Sequence, residues 1–152
     1  MDPKSPRSVP QPDPRQLAEH MQSYSETTHD ITVTVRPVYL ENRSTPREHQ
    51  YFWAYFVRIE NKGKEPVRLM RRYWRITDSL GRMHEVRGDG VVGQQPVIEP
   101  GEAFEYDSGT PLTTPSGIMM GSYQMVTDGG AAFDIVVPAF SLDSPHQRVF
   151  LN

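Results

Sequence analysis

The stretch QYFWAYFVRIE, residues 50–60, decides the fold because its apolar side chains alternate with a period of two. Such alternation is typical of a β-strand that buries one face. The opposite face is aromatic only near its start, which predicts partial cover there, with the N-terminal tail as a candidate. The face that stays apolar to the end of the strand is expected to point into the core; it carries Tyr51, Trp53, Tyr55, Val57 and Ile59.

Shorter β-type segments, separated by turn signals, lie on both sides of this strand. Before it, the sequence ITVTV at residues 31–35 alternates apolar and polar side chains. After it, residues 61–64 have the composition of a turn, with Asn61 and Gly63 able to take a positive φ. Short strands at such spacing predict an all-β sandwich of antiparallel sheets. Further strands are expected at residues 66–77, 82–87, 103–106, 117–127 and 131–137.

The segment PVRLMRRYWRIT, residues 66–77, breaks the alternation of its own strand. Val67 and Leu69 have one parity, whereas Trp74 and Ile76 have the other. One extra residue at the RRY triplet before Trp74 would return all four side chains to the core face. We therefore predict a β-bulge at that triplet.

Residues 1–29 differ in composition from the rest of the chain. They are poor in aromatic and β-branched side chains, so they have little apolar surface to offset the entropy of ordering them. Five prolines in this segment also favour disorder: Pro3, Pro6, Pro10, Pro12 and Pro14. We predict a disordered, Pro-rich tail over residues 1–29 and one domain over residues 30–152.

The bulk composition excludes several classes of function. The 152 residues include no cysteine, which rules out disulfides and thiolate metal sites and favours a reducing, cytoplasmic setting. The formal net charge of -3 gives no reason to expect nucleic acid as a partner. No apolar run reaches the length of a membrane span, and the N-terminus lacks the apolar region of a secretory signal.

The sequence EVRGDGVVGQQPVIEPG, residues 85–101, contains the pattern G-x-G-x-x-G at Gly88, Gly90 and Gly93. In a dinucleotide-binding turn this pattern is followed by a helix whose N-terminus meets the pyrophosphate. Here a proline and a β-type sequence follow, so a turn-rich connection between strands is the favoured interpretation. A different anion site stays open, in which backbone N–H groups of this loop and Arg87 would hold a nucleotide or diphosphate.

Other patterns give weaker support to catalysis, metal binding or nucleic-acid binding. The sequence DSGT at residues 107–110 matches half of an aspartic-protease dyad and is expected to be a strand-ending turn. Ser141, Asp143 and His146 are close in sequence, but a triad needs spatial geometry and an oxyanion hole. The five histidines show no metal-ligand spacing, and the arginines among the aromatics of residues 68–75 favour an exposed strand face. We predict no catalytic residues, metal or cofactor.

Several ordered motifs between residues 30 and 142 resemble the ApaG family. They are YFVRIEN at 55–61, W-x-I-T-D at 74–78, E-V-x-G-x-G-V-V-G-x-Q-P at 85–96, P-G-x-x-F-x-Y-x-S-G at 100–109 and G-x-M-x-G-x-Y at 117–123. The resemblance implies an immunoglobulin or fibronectin type III-like sandwich. It also implies a genetic link to cobalt resistance and magnesium efflux, and use as a protein-binding domain, with no settled molecular activity.

The expected function is therefore that of a non-enzymatic module that binds an unidentified protein partner. Its contact surfaces are expected at exposed loops and edge strands, since open sandwiches leave strand edges available. The alternative is a small-molecule sensor that binds a nucleotide or diphosphate weakly at residues 88–93, with Arg87, Gly88, Gly90 and Gly93 as the candidate anion loop.

Overall fold

A computed structural model describes residues 13–147 of the chain. Within this range no helix is long and apolar enough to cross a membrane. The elements in chain order are α1 (Pro14–His20), β1 (Tyr24–Thr28), β2 (Ile31–Tyr39), β3 (Tyr51–Asn61), β4 (Val67–Asp78), β5 (Met83–Asp89), β6 (Val97–Ile98), β7 (Ala103–Leu112), β8 (Gly117–Thr127) and β9 (Ala132–Leu142). Two 3-10 turns, Glu41–Arg43 and Pro46–Glu48, connect β2 to β3.

The strands form two antiparallel sheets that pack face to face. Sheet I has the order β1-β2-β3-β7, and sheet II has the order β5-β4-β8-β9, with the short β6 also pairing with β4. The sheets approach each other where β1 and β2 lie against β9, and the Val136 N–H of β9 donates to the Thr28 hydroxyl of β1. The predicted all-β sandwich is confirmed.

Strand β3 buries the face that its sequence predicts. All five side chains of that face are buried, and an aromatic cluster joins the two sheets around Trp74 of β4. The ring of Tyr55 lies 5.4 Å from the Trp74 ring, and the Tyr123 ring lies 6.0 Å from it, both edge-on. Trp53 is anchored at its polar end, because its indole N–H donates to the Asp143 carbonyl at 2.8 Å.

The predicted β-bulge is present in β4, slightly before the predicted triplet. The register of β4 against β8 shifts between Leu69 and Arg71, so Met70 is the extra residue. Val67, Leu69, Trp74 and Ile76 are consequently all buried in the same core. The predicted faces of β4 are therefore correct, and the extra residue lies one position before the predicted triplet.

The predicted boundary between tail and domain at residue 30 is wrong. Residues 24–28 form β1, which pairs with β2 along its whole length. Strand β1 has few buried side chains, so hydrophobic periodicity could not reveal it; its pairing comes from backbone bonds and from threonine and serine hydroxyl contacts across the strands. The disorder predicted for residues 1–12 lies outside the described residues.

The predicted cover of β3 by the N-terminal segment is confirmed. Leu17 of α1 packs on the outward face of sheet I, against a small apolar cluster that includes Val38 and Phe52. This cluster is separate from the main core between the sheets.

The chain turns after β3 without the positive φ that Asn61 and Gly63 are able to take. Asn61 is the last residue of β3 and is fully buried. Its amide donates to the carbonyls of Glu65 and Ile98 at 2.7 and 2.9 Å, and its side-chain oxygen accepts the Gly63 N–H. Because Ile98 belongs to sheet II, Asn61 ties the two sheets together.

Trp53→Ala should lower the free energy of unfolding by about 3–5 kcal/mol, because it leaves a large cavity and an unpaired carbonyl. Urea denaturation of both proteins measures the difference. Leu80→Ala, at an exposed side chain in the β4–β5 turn, is the control and should change stability by less than about 0.5 kcal/mol. Similar losses for the two variants would contradict the assignment of Trp53 to the core.

Candidate functional site

The glycine-rich loop connects β5 to β6 through a tight hairpin at residues 91–94. The Val91 N–H donates to the Gln94 carbonyl and the Gln94 N–H donates to the Val91 carbonyl, each at 2.9 Å. The two residues between them, Val92 and Gly93, have φ values of 44° and 76°. Two consecutive positive φ values define the turn type that closes two-residue hairpins. The predicted turn-rich connection is confirmed, and strand β6 stands where a dinucleotide-binding turn would need a helix.

The bulge residue Met70 holds this loop against β4. Its carbonyl accepts the Gly90 N–H at 2.8 Å and the Gln95 side-chain amide at 3.0 Å. The Leu69 N–H donates to the Pro96 carbonyl at 3.0 Å on the same side. Val91 is buried in the main core, so the loop is fixed both by backbone bonds and by an apolar anchor.

Arg72, two residues after the bulge, points into the loop. Its Nη1 donates to the carbonyls of Asp89 and Gly90 at 2.9 and 3.0 Å. The guanidinium lies so close to Gly88 that a Cβ there would sit 2.8 Å from it. Gly88 therefore leaves space for the Arg72 guanidinium, and the carbonyl oxygens of Asp89 and Gly90 point toward this group.

This arrangement differs from the one that an anion site needs. The N–H groups of Gly90, Val91 and Gln94 already donate to protein carbonyls. The Arg87 guanidinium lies 3.2 Å from the Glu85 carboxylate and 4.7 Å from the centre of the Tyr73 ring. Arg87 and Gly88 lie near the end of β5, Gly90 follows this strand, and Gly93 is at the hairpin tip. The anion loop stays a prediction.

The tip of the hairpin presents Val92 to solvent. Its side chain is 51% exposed, and its φ of 44° is a left-handed conformation that β-branched residues rarely adopt. The sequence gives no warning of this conformation, since valine normally signals a strand. An exposed apolar side chain on strained backbone makes the tip a candidate contact point.

A pair of tyrosines lies behind Arg72 and was not anticipated from the sequence. The hydroxyls of Tyr106 in β7 and Tyr123 in β8 hydrogen-bond to each other inside the core. Burial raises the pKa of both Tyr106 and Tyr123, and that of the neighbouring Tyr55, while the positive charge of Arg72 acts in the opposite direction. The pair is a buried polar link between the sheets, with both hydroxyls held neutral.

The sequence motifs for catalysis are not assembled. Residues 107–110 lie within β7, so the expected strand-ending turn at DSGT is wrong. His146 Nε2 lies 3.2 Å from the Glu41 carboxylate, and the Asp143 carbonyl is occupied by Trp53. Among residues 13–147 no hydrogen bond joins Ser141, Asp143 and His146, and no three His, Asp or Glu side chains form a metal cluster.

A cavity of about 420 Å³ at one end of the sandwich holds His49, His84 and Asp78. Burial alone would raise the pKa of Asp78, but hydrogen bonds from the Arg82 N–H and guanidinium and from the Leu80 N–H hold this pKa below its usual range. The Arg82 Nε donates to the Asp78 carboxylate at 2.8 Å. Asp78 is thus committed to closing the β4–β5 turn and is poorly suited to act as a general base.

The outward face of sheet II carries exposed apolar side chains. Trp74 and Ile76 face the core, so Tyr73, Arg75 and their cross-strand partners face outward. We call this surface the sheet II face. Its exposed apolar residues are Met83 on β5, Ile118 and Met120 on β8, and Val136 on β9.

Gly90→Ala should destabilise the protein more than Gly93→Ala. Both positions have a left-handed φ, so each substitution carries about 1–2 kcal/mol of backbone strain. Only at Gly90 would the added Cβ also meet backbone, at 2.1 Å from the Gln94 carbonyl oxygen, whereas nothing lies within 4 Å at Gly93. Thermal unfolding of the two variants measures the difference; equal losses would show that the loop is not held as described.

The unfolding free energy should fall as pH rises above about 10, the ordinary tyrosine pKa. The unfolded chain releases tyrosine protons there, while burial keeps those of Tyr106 and Tyr123 bound. Each such tyrosine should contribute a fall of about 1.4 kcal/mol per pH unit. Urea denaturation from pH 8 to pH 11 should show a shallower fall for Tyr123→Phe than for wild type. Tyr24→Phe, outside the pair, is the control, and a slope unchanged by Tyr123→Phe would contradict this origin.

Comparison with known proteins agrees with this architecture. The family model described as the ApaG domain matches residues 41–127. Protein ApaG of Paramagnetospirillum magneticum is 60% identical over 129 residues, which cover 85% of this chain and 99% of the relative. Protein ApaG of Rhodospirillum centenum is 64% identical over 125 residues, covering 82% and 96%. The crystal structure of the ApaA protein from Bordetella pertussis superposes with a TM-score of 0.75 at 48% identity, covering 78% of this chain and 96% of that one. This chain therefore belongs to the ApaG domain family.

Proposed function

We propose that this protein is a non-enzymatic interaction module that binds a protein partner through the sheet II face. The observation that carries the proposal is the exposure of four apolar side chains on one sheet surface. Three adjacent cross-strand rows hold these side chains. The first contains Met83 and Ile118, the second contains Met120, and the third contains Val136. Exposed apolar side chains grouped in this way are typical of interaction sites.

The polar residues between them have the character of an interface. On β4, Thr77 lies between Met83 and Ile118, and Arg75 pairs with Met120 in the next row. The Arg75 Nε donates to the Met83 sulfur at 2.7 Å, and Tyr73 lies in the row that follows. Arginine, tyrosine and methionine are enriched at protein interfaces relative to the remaining surface. Arg87 over the Tyr73 ring extends this mixture toward the glycine-rich loop.

The chemistry elsewhere in the chain supports binding over catalysis. Asp78 is held by Arg82, the glycine-rich loop by Met70, and Arg72 by two loop carbonyls. These groups serve the stability of the sandwich. The family's link to cobalt resistance and magnesium efflux would then act through the bound protein, with the ion handled by that partner.

Met120→Glu should weaken capture of the partner by at least about tenfold, because it places a charge at the centre of a desolvated contact. Affinity capture from a lysate of the source organism, quantified by mass spectrometry, compares the variant with wild type. Val86→Glu is the matched control. Val86 is 40% exposed against 38% for Met120, but it lies on the opposite face of β5.

Circular dichroism and thermal unfolding first establish that both variants are folded. Equal recovery of every captured protein by wild type and Met120→Glu would exclude the sheet II face as the contact. If Val86→Glu lost these proteins and Met120→Glu retained them, the contact would be assigned to the side of the sandwich where the edge strands β5 and β7 lie.

A further inference from the structure

The outward face of sheet I carries a second apolar surface, which helix α1 partly covers. We call it the α1 groove. Leu17 packs against the buried Val38 and Leu40, and the partly buried residues that pack against the same pair are Phe52, Ala54 and Phe56. These residues come from the neighbouring strand β2, the residue that follows it, and β3, so the groove is a continuous apolar strip on the sheet.

The contacts that hold α1 in this groove are few. The helix has seven residues, too short to be stable without its docking surface. Leu17 is the one apolar anchor among its described side chains. Arg15 reaches the Asp107 carboxylate at 3.6 Å, but both side chains are largely exposed, so this ion pair adds little.

The groove continues past α1 into a cavity of about 430 Å³. Arg15 and Phe56 border this cavity, and Arg36, Arg58 and Glu105 are among the other residues that line it. Helix α1 begins at Pro14, since proline is favoured in the first turn of a helix, and Arg15 in this first turn borders the cavity.

The charges in the cavity are incompletely matched. Glu105 pairs with Arg58 at 2.6 Å and Asp107 pairs with Arg15. Arg36 has no ion pair with any side chain that the structure describes, and its buried Nε lacks a hydrogen-bond partner among the same residues. A carboxylate placed over the cavity would complete the pairing.

We infer that the α1 groove is a docking site for an amphipathic helix of a partner protein, and that α1 occupies it in cis until the partner displaces it. The partner helix has a leucine anchor in the position of Leu17. It extends about one turn beyond the N-terminal end of α1 and carries an acidic side chain there, opposite Arg36. An acidic residue in the first turn also suits the helix dipole. This site is independent of the sheet II face, so its failure would leave the proposed function standing.

The test uses the full chain with Leu17→Asp, which frees the groove, and two synthetic peptides derived from residues 11–23. Both peptides carry Pro14→Ala; one also carries Pro12→Glu and the other Pro12→Gln. Titrations followed by 1H–15N correlation spectra report on the amides of β2 and β3. The Glu peptide should perturb residues of the α1 groove in the variant chain. It should bind wild type about tenfold more weakly, as expected if α1 fills the groove nine-tenths of the time.

Arg36→Gln, added to the Leu17→Asp chain, tests the charge assignment. The Glu peptide should bind the Leu17→Asp chain roughly two- to fivefold more tightly than the Gln peptide, and Arg36→Gln should remove that difference. An undiminished difference would overturn the role of Arg36. If Leu17→Asp fails to fold, Leu17→Ala replaces it. Absence of any perturbation in the groove of a folded variant would overturn the docking site, and concentration-dependent self-association through the groove would assign it to a second copy instead.

Discussion

The β-bulge at Met70 is the constraint on which the rest of the structure depends. Without the extra residue, β4 would bury either Val67 and Leu69 or Trp74 and Ile76, and the aromatic cluster around Trp74 could not form together with the other half of the core. The bulge also frees the Met70 carbonyl from the regular ladder. That carbonyl accepts the Gly90 N–H and the Gln95 amide, so the feature that completes the core also places the glycine-rich loop.

The core could be predicted from the sequence because it depends on local periodicity. The alternation in residues 50–60 gave both faces of β3, and the parity change in residues 66–77 gave the existence of the bulge. A strand without an apolar face, such as β1, produces no periodic signal, and its pairing depends on a partner strand already being in place. The same limit applies to residues 107–110, which hydrogen bonds to β3 hold in β7 despite their turn-like composition.

The polar contacts of the candidate site could not be predicted, because each joins residues far apart in the sequence. Asn61 reaches Ile98, Arg72 reaches Gly90, and Tyr106 reaches Tyr123. Composition identified Asn61 as a turn residue, whereas in the structure its buried amide donates to the carbonyls of Glu65 in the β3–β4 loop and Ile98 in sheet II. Such buried polar links tolerate little substitution, since removing one partner leaves the other desolvated without a hydrogen bond.

Each glycine of the G-x-G-x-x-G pattern has a role in the fold that does not involve a nucleotide. Gly88 admits the Arg72 guanidinium, Gly90 allows the chain to approach the Gln94 carbonyl, and Gly93 completes the hairpin. These contacts hold the loop on the sandwich and leave its hairpin tip exposed. The outward faces of the two sheets carry further apolar surface. The one on sheet I is covered by a helix with a single described apolar anchor, and the one on sheet II is open. If α1 controls binding on sheet I, the sheet II face stays available, because neither surface shares side chains with the core.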